Sequence, residues 1–293
     1  MNKIPDSELI LNNDGSVYHL HLLPTDLADF IITVGDPERV EKIAKHFDKI
    51  LIKKRNREFY TITGTYKFKH ITVISTGIGT DNIDIVFNEL NILSCIDLEK
   101  RERLATPRKL TIIRLGTSGT LCEDIPIDTM LVSEYAIGLE GLMNFYPINY
   151  SKFESDYQKI VMSSLQNKFS FLTPYIVSSS TLLNEKLGEG MLLGTTATCQ
   201  GFYHPQGRFL WSDKNDSILT ALKTISFEGN RVTNFEMETS GILGLARYFG
   251  HESTSISLIL ANRITNEFSV NAEARMEEMI ELCLERLLVL ASA

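Results

Sequence analysis

The sequence predicts an α/β fold, a single domain with helices packed on a largely parallel sheet. Short apolar runs of strand length alternate with segments whose apolar residues recur at helical spacing. The chain has 293 residues, 43% of them hydrophobic, which is enough for one large core. No Pro-, Gly- or Ser-rich linker, repeat or low-complexity segment divides it.

The elements follow in order. Residues 1–16 form a polar, acidic N-terminal extension. FIITV (30–34) reads as a buried strand, and Gly35-Asp36-Pro37 turns the chain into a helix over 38–47. ITVIS (71–75) is a second strand, ended by Thr76-Gly77-Ile78-Gly79, and Ile83 to Leu93 shows helical spacing. LTIIR (110–114) is a third, ended by LGTSGT, and TMLVSEYAI and GMLLGTTA are two more. From Thr239, the residues Ile242, Leu243, Leu245, Ala246 and Phe249 share one helix face. STSISLILAN (253–262) is the last strand, before a C-terminal helix of about 20 residues from Asn271. The charged segment 97–109 reads as a surface insertion.

Composition narrows the function. A net charge of -8 disfavours nucleic acid as a partner and favours a small molecule. No apolar run approaches the roughly 20 residues of a membrane span. The N-terminus lacks the apolar core of a signal peptide, so a cytoplasmic location is expected. Cys95, Cys122, Cys199 and Cys283 are scattered, and the six histidines form no ligand cluster, so no metal site is expected.

Ligands of open α/β sheets collect at the carboxyl ends of strands. GDPER, STGIG, RLGTSG and ILANR all lie at such ends. Gly35 and Pro37 shape a helix start that offers free N–H groups to an anion, and Arg39 follows within a turn. Arg114 closes an otherwise buried strand and needs a partner there. Thr117 and Ser118 add hydroxyls, and Arg57 stands where another strand begins. Each arginine alone could be half of a structural salt bridge. Three of them with glycine-rich strand ends point to a phosphate, which the guanidinium fork grips. Neither GxxxxGK[ST] nor GxGxxG occurs, so a P-loop or Rossmann nucleotide is not expected. Glu236 and Glu238 flank Met237 just before the Thr239 helix. The helix dipole accounts for one acid in the first turn and less well for two.

Taken in order, VYHL, GDPERVEKIA, NREF, STGIG, RLGTSG, FYHPQGR, NFEMET and ANR resemble the nucleoside phosphorylases of the trimeric and hexameric class, the uridine phosphorylases most of all. The likeness runs from Val17 to the C-terminal helix. It implies a single domain with a mixed, largely parallel, twisted central sheet flanked by helices. It also implies phosphorolysis of a pyrimidine nucleoside, uridine first, to the free base and ribose 1-phosphate in nucleoside salvage. On this resemblance Gly35, Arg39, Arg114 and Thr117 hold phosphate, and Arg57 reaches it from a neighbouring subunit. His19 likewise crosses the interface, to the ribose 5′-hydroxyl. Met237 packs on the sugar and Glu238 binds its 2′ and 3′ hydroxyls, with Glu236 in the same pocket or serving the helix end. Phe202 lies against the base, and Gln206 and Arg208 read the uracil edge. Catalysis falls chiefly to Arg114, Glu238 and Arg208.

The resemblance further implies a homodimer as the minimal unit, a homohexamer as the assembly, and phosphate as co-substrate with no cofactor. A monovalent cation is possible at the dimer interface near Glu58, Ile78 and Asn82. Two stretches depart from the pattern. Thr80-Asp81-Asn82 replaces Gly-Pro-Ser, and an Asp there is expected to disfavour an anion. His204-Pro205-Gln206-Gly207-Arg208 keeps the Gln and Arg spacing in a different loop. The alternatives are a purine nucleoside phosphorylase, a nucleosidase and a non-catalytic nucleoside-binding protein. The purine enzymes tend to place an Asp after the last strand, where this chain has Asn262-Arg263. A nucleosidase would not need three arginines.

Overall fold

The strand-then-helix alternation is realised in the computed structural model, which describes residues 3–211 and 218–290. β1 (Phe30–Val34) leads into α1 (Pro37–Ala44), then to β2 (Lys49–Asn56), β3 (Phe59–Tyr66) and β4 (Lys69–Ser75). α2 (Thr80–Cys95) runs into a small hairpin, β5 (Ile96–Asp97) and β6 (Glu102–Arg103), followed by β7 (Thr111–Thr120) and β8 (Met130–Gly138). Next come α3 (Lys152–Phe169), β9 (Tyr175–Ser178), α4 (Thr181–Leu187) and β10 (Leu192–Thr198). The remaining elements are α5 (Ile218–Thr224), β11 (Ser226–Phe227), β12 (Asn230–Glu236), α6 (Thr239–Phe249), β13 (Glu252–Asn262), β14 (Glu267–Phe268) and α7 (Ala272–Leu287).

The main sheet has the order β11-β12-β10-β8-β13-β7-β1-β4-β3-β2, with β9 on β8 and β14 on β13. Most of its inner pairings are parallel: β1 pairs β4 and β7, β7 pairs β13, and β10 pairs β8 and β12, while β13 meets β8 antiparallel. A short antiparallel contact of Phe235 with Gly119 and Asn234 with Thr120 joins β12 back to β7. The strands β7, β13, β8, β10 and β12 therefore close into a ring, which periodicity alone does not foretell.

Helices cover both faces. Ile31 packs with Val86 and Leu90 of α2 and with Ile242 and Leu245 of α6. Its neighbours Phe30 and Ile32 pack with Val40 and Ile43 of α1 and with Met279 and Ile280 of α7. A strand covered on both sides has no solvent face, so FIITV is buried at every position and apolar at all but Thr33.

Three differences from the sequence reading have physical causes. RLGTSGT does not turn: β7 continues through Gly116 and Gly119 to Thr120. β2, missed by the apolar count, is the lysine-rich outer strand with one edge unpaired, a composition that resists pairing with another chain. The polar extension and the charged insertion hold each other. Arg101 is buried and donates to the carbonyls of Ile4, Pro5 and Leu9, and Leu9 joins the core beside α2.

His251 supplies a test of the packing. Its ring is buried, and Nδ1 accepts from the Leu110 N–H at 3.3 Å. Burial, helped by Lys109, pulls its pKa from 6.5 down to about 4. The unfolded chain therefore takes up this proton first. The stabilisation is full above pH ~6.5 and is lost as pH falls towards ~4, on the order of 3 kcal/mol. The stability gap between wild type and His251→Asn, measured by urea unfolding, should shrink by about that amount from pH 7.5 to 4.5. A constant gap would clear His251 of the effect.

Candidate active site

The carboxyl ends of β1, β7, β12 and β13 and the loop after β10 surround a cavity of about 520 Å³. Ten of the twelve residues singled out from the sequence line it. Gly35, Arg39, Arg114 and Thr117 form one end. Glu236, Met237 and Glu238 form a wall, and Phe202, Gln206 and Arg208 the other end. His19 and Arg57 do not line it.

Arg114 is buried, and its guanidinium lies back over Gly116, two residues on and on the same strand face. A Cβ at position 116 would overlap that guanidinium, so the glycine is the space the arginine occupies, not a turn. Nη2 meets Glu238 Oε2 at 2.7 Å and Glu236 Oε2 at 3.0 Å, and Nη1 donates to Ser257 Oγ at 3.1 Å. Burial opposes the charge, but the two carboxylates outweigh it and raise the pKa.

Arg39 donates to the Leu115 carbonyl at 3.2 Å and has no ion pair among the described residues. Burial first, and then Arg114, lower its pKa. An anion between these two cations would offset their repulsion. Gly35 ends β1 beside them, and Asp36 caps α1 by accepting from the Glu38 N–H at 2.9 Å.

The two glutamates divide their work. Glu236 ends β12 and accepts from the N–H groups of Glu238 at 2.9 Å and Thr239 at 3.0 Å, and from Thr198 Oγ1 at 2.8 Å. It serves the start of α6, as the dipole argument proposed for one acid. Burial pushes its pKa up against the pull of Arg114. Glu238 accepts from the Gly79 N–H at 2.8 Å and so ties the loop after β4 to Arg114.

In the loop after β10, Gly207 takes φ 64° and closes a single 3-10 turn, His204–Gln206. Arg208 Nη1 then reaches Gln206 Oε1 at 2.7 Å, and its guanidinium stacks 3.7 Å from the Phe202 ring centroid. Arg263 clamps the turn by donating to the carbonyls of Gln206 at 3.0 Å and Gly207 at 2.9 Å. ANR marks a strand end in the sequence, but nothing in that motif points to this role for Arg263. Nor does the sequence single out Phe268, an exposed ring on the cavity wall.

His19 and Arg57 lie elsewhere, close together. Arg57 is exposed at the β2–β3 turn with its guanidinium 5.5 Å from the Tyr18 ring centroid. Asn56 Nδ2 donates to the His19 carbonyl at 2.7 Å. Asp81 is exposed in the first turn of α2 and does not line the cavity. The side chains of Glu58 and Asn82 both approach Gly77. On the opposite outer face, His46, Glu277 and Glu281 bring one ligand atom each within 4.8 Å of one another, a grouping that spacing did not reveal.

Comparison with known proteins follows the same lines. A family model described as the phosphorylase superfamily matches residues 29–290. A uridine phosphorylase of Thermococcus kodakarensis is 30% identical over 274 residues, covering 93% of this chain and 87% of its own. The uridine phosphorylase of Escherichia coli K12 is 27% identical over 262 residues, 88% of this chain and 90% of its own. Among solved structures, a Trypanosoma brucei nucleoside phosphorylase described as showing uridine phosphorylase activity superposes with a TM-score of 0.86 at 29% identity. It covers 96% of this chain and all of that one.

Proposed function

The chain belongs to the phosphorylase superfamily, and we propose that it cleaves a pyrimidine nucleoside, uridine first, with inorganic phosphate as nucleophile. The observation that carries this is the polarity of one cavity. Arg39 and Arg114 stand at one end, and Gln206 and Arg208 over Phe202 stand at the other.

Phosphate between the arginines, with Gly35 and Thr117 as further contacts, attacks C1′. The C1′–N1 bond breaks, its electron pair leaves on uracil, and ribose 1-phosphate forms. Positive charge grows on the sugar next to the phosphate dianion. Negative charge grows on uracil, where Gln206 and Arg208 donate. Fixed donors aimed at developing charge supply the largest share of such rate gains, and holding phosphate in line adds proximity. Glu238 already accepts from Arg114 and the Gly79 N–H, and a carboxylate has room for hydroxyl donors as well. Glu236 is assigned the support of α6 and Arg114, not contact with sugar.

Asn262 favours the pyrimidine reading over the purine one. Its amide donates to the carbonyls of Cys122 and Ile125 and accepts from the Ile264 N–H, so it is fully engaged in the fold. It is not an acid that could protonate a purine. Because His19 and Arg57 lie together outside their own cavity, we assign them to a neighbour's site in a homodimer; the family resemblance extends that dimer to a hexamer, and the cytoplasm is the location we propose. The uridine phosphorylases among its relatives support the phosphorolysis of a pyrimidine nucleoside.

The test follows uracil release with and without phosphate on a panel of nucleosides. Release of uracil that requires phosphate is expected. Equal release in both conditions would turn the reading to a nucleosidase. Purine preference would turn it to the purine branch, and no turnover to a binding protein.

A further inference from the structure

We propose that Glu89 is a positioning residue: it fixes the tautomer of His19 so that Nε2 accepts, and thereby selects a nucleoside whose 5′ group donates a hydrogen bond. This rests on the assignment of His19 to the ribose above.

Glu89 sits on α2, and its carboxylate is buried. It has neither lysine nor arginine as a partner among the described residues. Its partners all come from one turn of chain. The His19 N–H reaches Oε1 at 2.8 Å and the Leu20 N–H reaches Oε2 at 2.7 Å. His19 Nδ1 lies 2.7 Å from Oε1.

Backbone amides donate to both oxygens of Glu89, and an ionised carboxylate only accepts, so against it Nδ1 carries the hydrogen shared with Oε1. A neutral imidazole has one donor and one acceptor nitrogen. In the neutral ring Nε2 is therefore left with its lone pair, and it makes no hydrogen bond among the described residues. The ring is held from other sides too. Asn56 holds the His19 carbonyl at 2.7 Å, and the Tyr18 ring meets the imidazole edge-on at 4.8 Å. The side chain is 27% exposed, enough to present Nε2 outward.

An outward acceptor recognises a hydroxyl and gains nothing from a 5′-methyl group. Glutamine in place of Glu89 keeps the shape but offers one acceptor and a donor. It cannot serve both backbone N–H groups and Nδ1–H at once. The imidazole then loses its anchor or moves its hydrogen to Nε2.

The experiment compares uridine with 5′-deoxyuridine on the wild-type oligomer and on Glu89→Gln. Glu89→Gln should lower kcat/KM for uridine by ~10-fold or more, mostly through KM, as for one lost hydrogen bond in a desolvated site. The value for 5′-deoxyuridine should change less than ~2-fold, since that substrate never made the bond. Equal losses on both substrates would make Glu89 merely structural, and no loss on either would remove it from the site. A second readout needs no turnover. ¹⁵N spectra of histidine-labelled wild type should show His19 as the Nδ1–H tautomer, and Glu89→Gln should abolish that preference. An Nε2–H tautomer in the wild type would overturn the proposal whatever the substrate. A wild type with the Nδ1–H tautomer that cleaves no nucleoside would instead sink the assigned function.

Discussion

Arg114→Ala should lower kcat/KM for phosphate at least ~100-fold, about 3 kcal/mol, the loss typical of a charged transition-state contact. It should also destabilise the fold. The guanidinium neutralises two buried carboxylates, Glu236 and Glu238, and removing one partner of such a cluster costs about 3–5 kcal/mol. Gly116→Ala separates the two effects, because it keeps every charge. Its Cβ would occupy the volume of the Arg114 guanidinium, so the arginine must swing off the strand face. Activity should fall as far as in Arg114→Ala, while the Glu236 and Glu238 carboxylates keep a cation within reach. Steady-state kinetics with phosphate varied, alongside thermal unfolding of both variants, checks this. Unchanged phosphate kinetics in a folded Arg114→Ala would take this residue out of the anion site.

Mixing two dead variants should restore activity. Arg57 lies outside its own chain's cavity, whereas Glu238 lies inside it. Under the shared-site reading, Arg57→Ala chains have intact walls but nothing to lend, and Glu238→Gln chains the reverse. Each homodimer is inactive. In a mixed dimer one site carries both lesions and the other neither, because a two-fold interface makes the exchange reciprocal. Random pairing of equal amounts should therefore restore about a quarter of all sites. Subunit exchange is confirmed by tagging the two variants differently and recovering mixed oligomers. If mixed oligomers form and activity stays at the level of the separate variants, Arg57 acts within its own chain or not at all.

Particular residues show what a sequence reveals of such a site. Strand β1 was legible because burial on both faces leaves it no charged position and only one polar one, Thr33. The outer strand β2 was not, because its lysines and half-exposed residues look like loop. The cavity wall was legible wherever chemistry needs an unusual cluster, as at Glu236 to Glu238. Gly116 misled, since glycine in a run of hydroxyl residues reads as a turn. The better signal was the arginine two places earlier, which on a strand shares its face. Glu89 and Arg263 carried no local sign. Glu89 stands between Asn88 and Leu90 on a helix, and the turn whose N–H groups it accepts from is 70 residues away in sequence. Arg263 acts on a turn 57 residues away through backbone carbonyls, which no side-chain pattern records.

The ring of strands also imposes an order on assembly. β7 and β8 are consecutive in sequence yet unpaired with each other, and the strand between them, β13, is the last long one in the chain. Its parallel pairing with β7 extends from Thr111 to Thr120, whereas β12 touches β7 at only two positions. A chain still emerging from the ribosome has no strand for that gap until residue 262 has been made. Until then β7 and β8 carry open edges, the kind of surface that seeks a partner in another chain. Arg114 takes one of its partners from the same strand, because Ser257 belongs to it. The full set of Arg114 contacts and the last seam of the sheet are thus completed in a single late step.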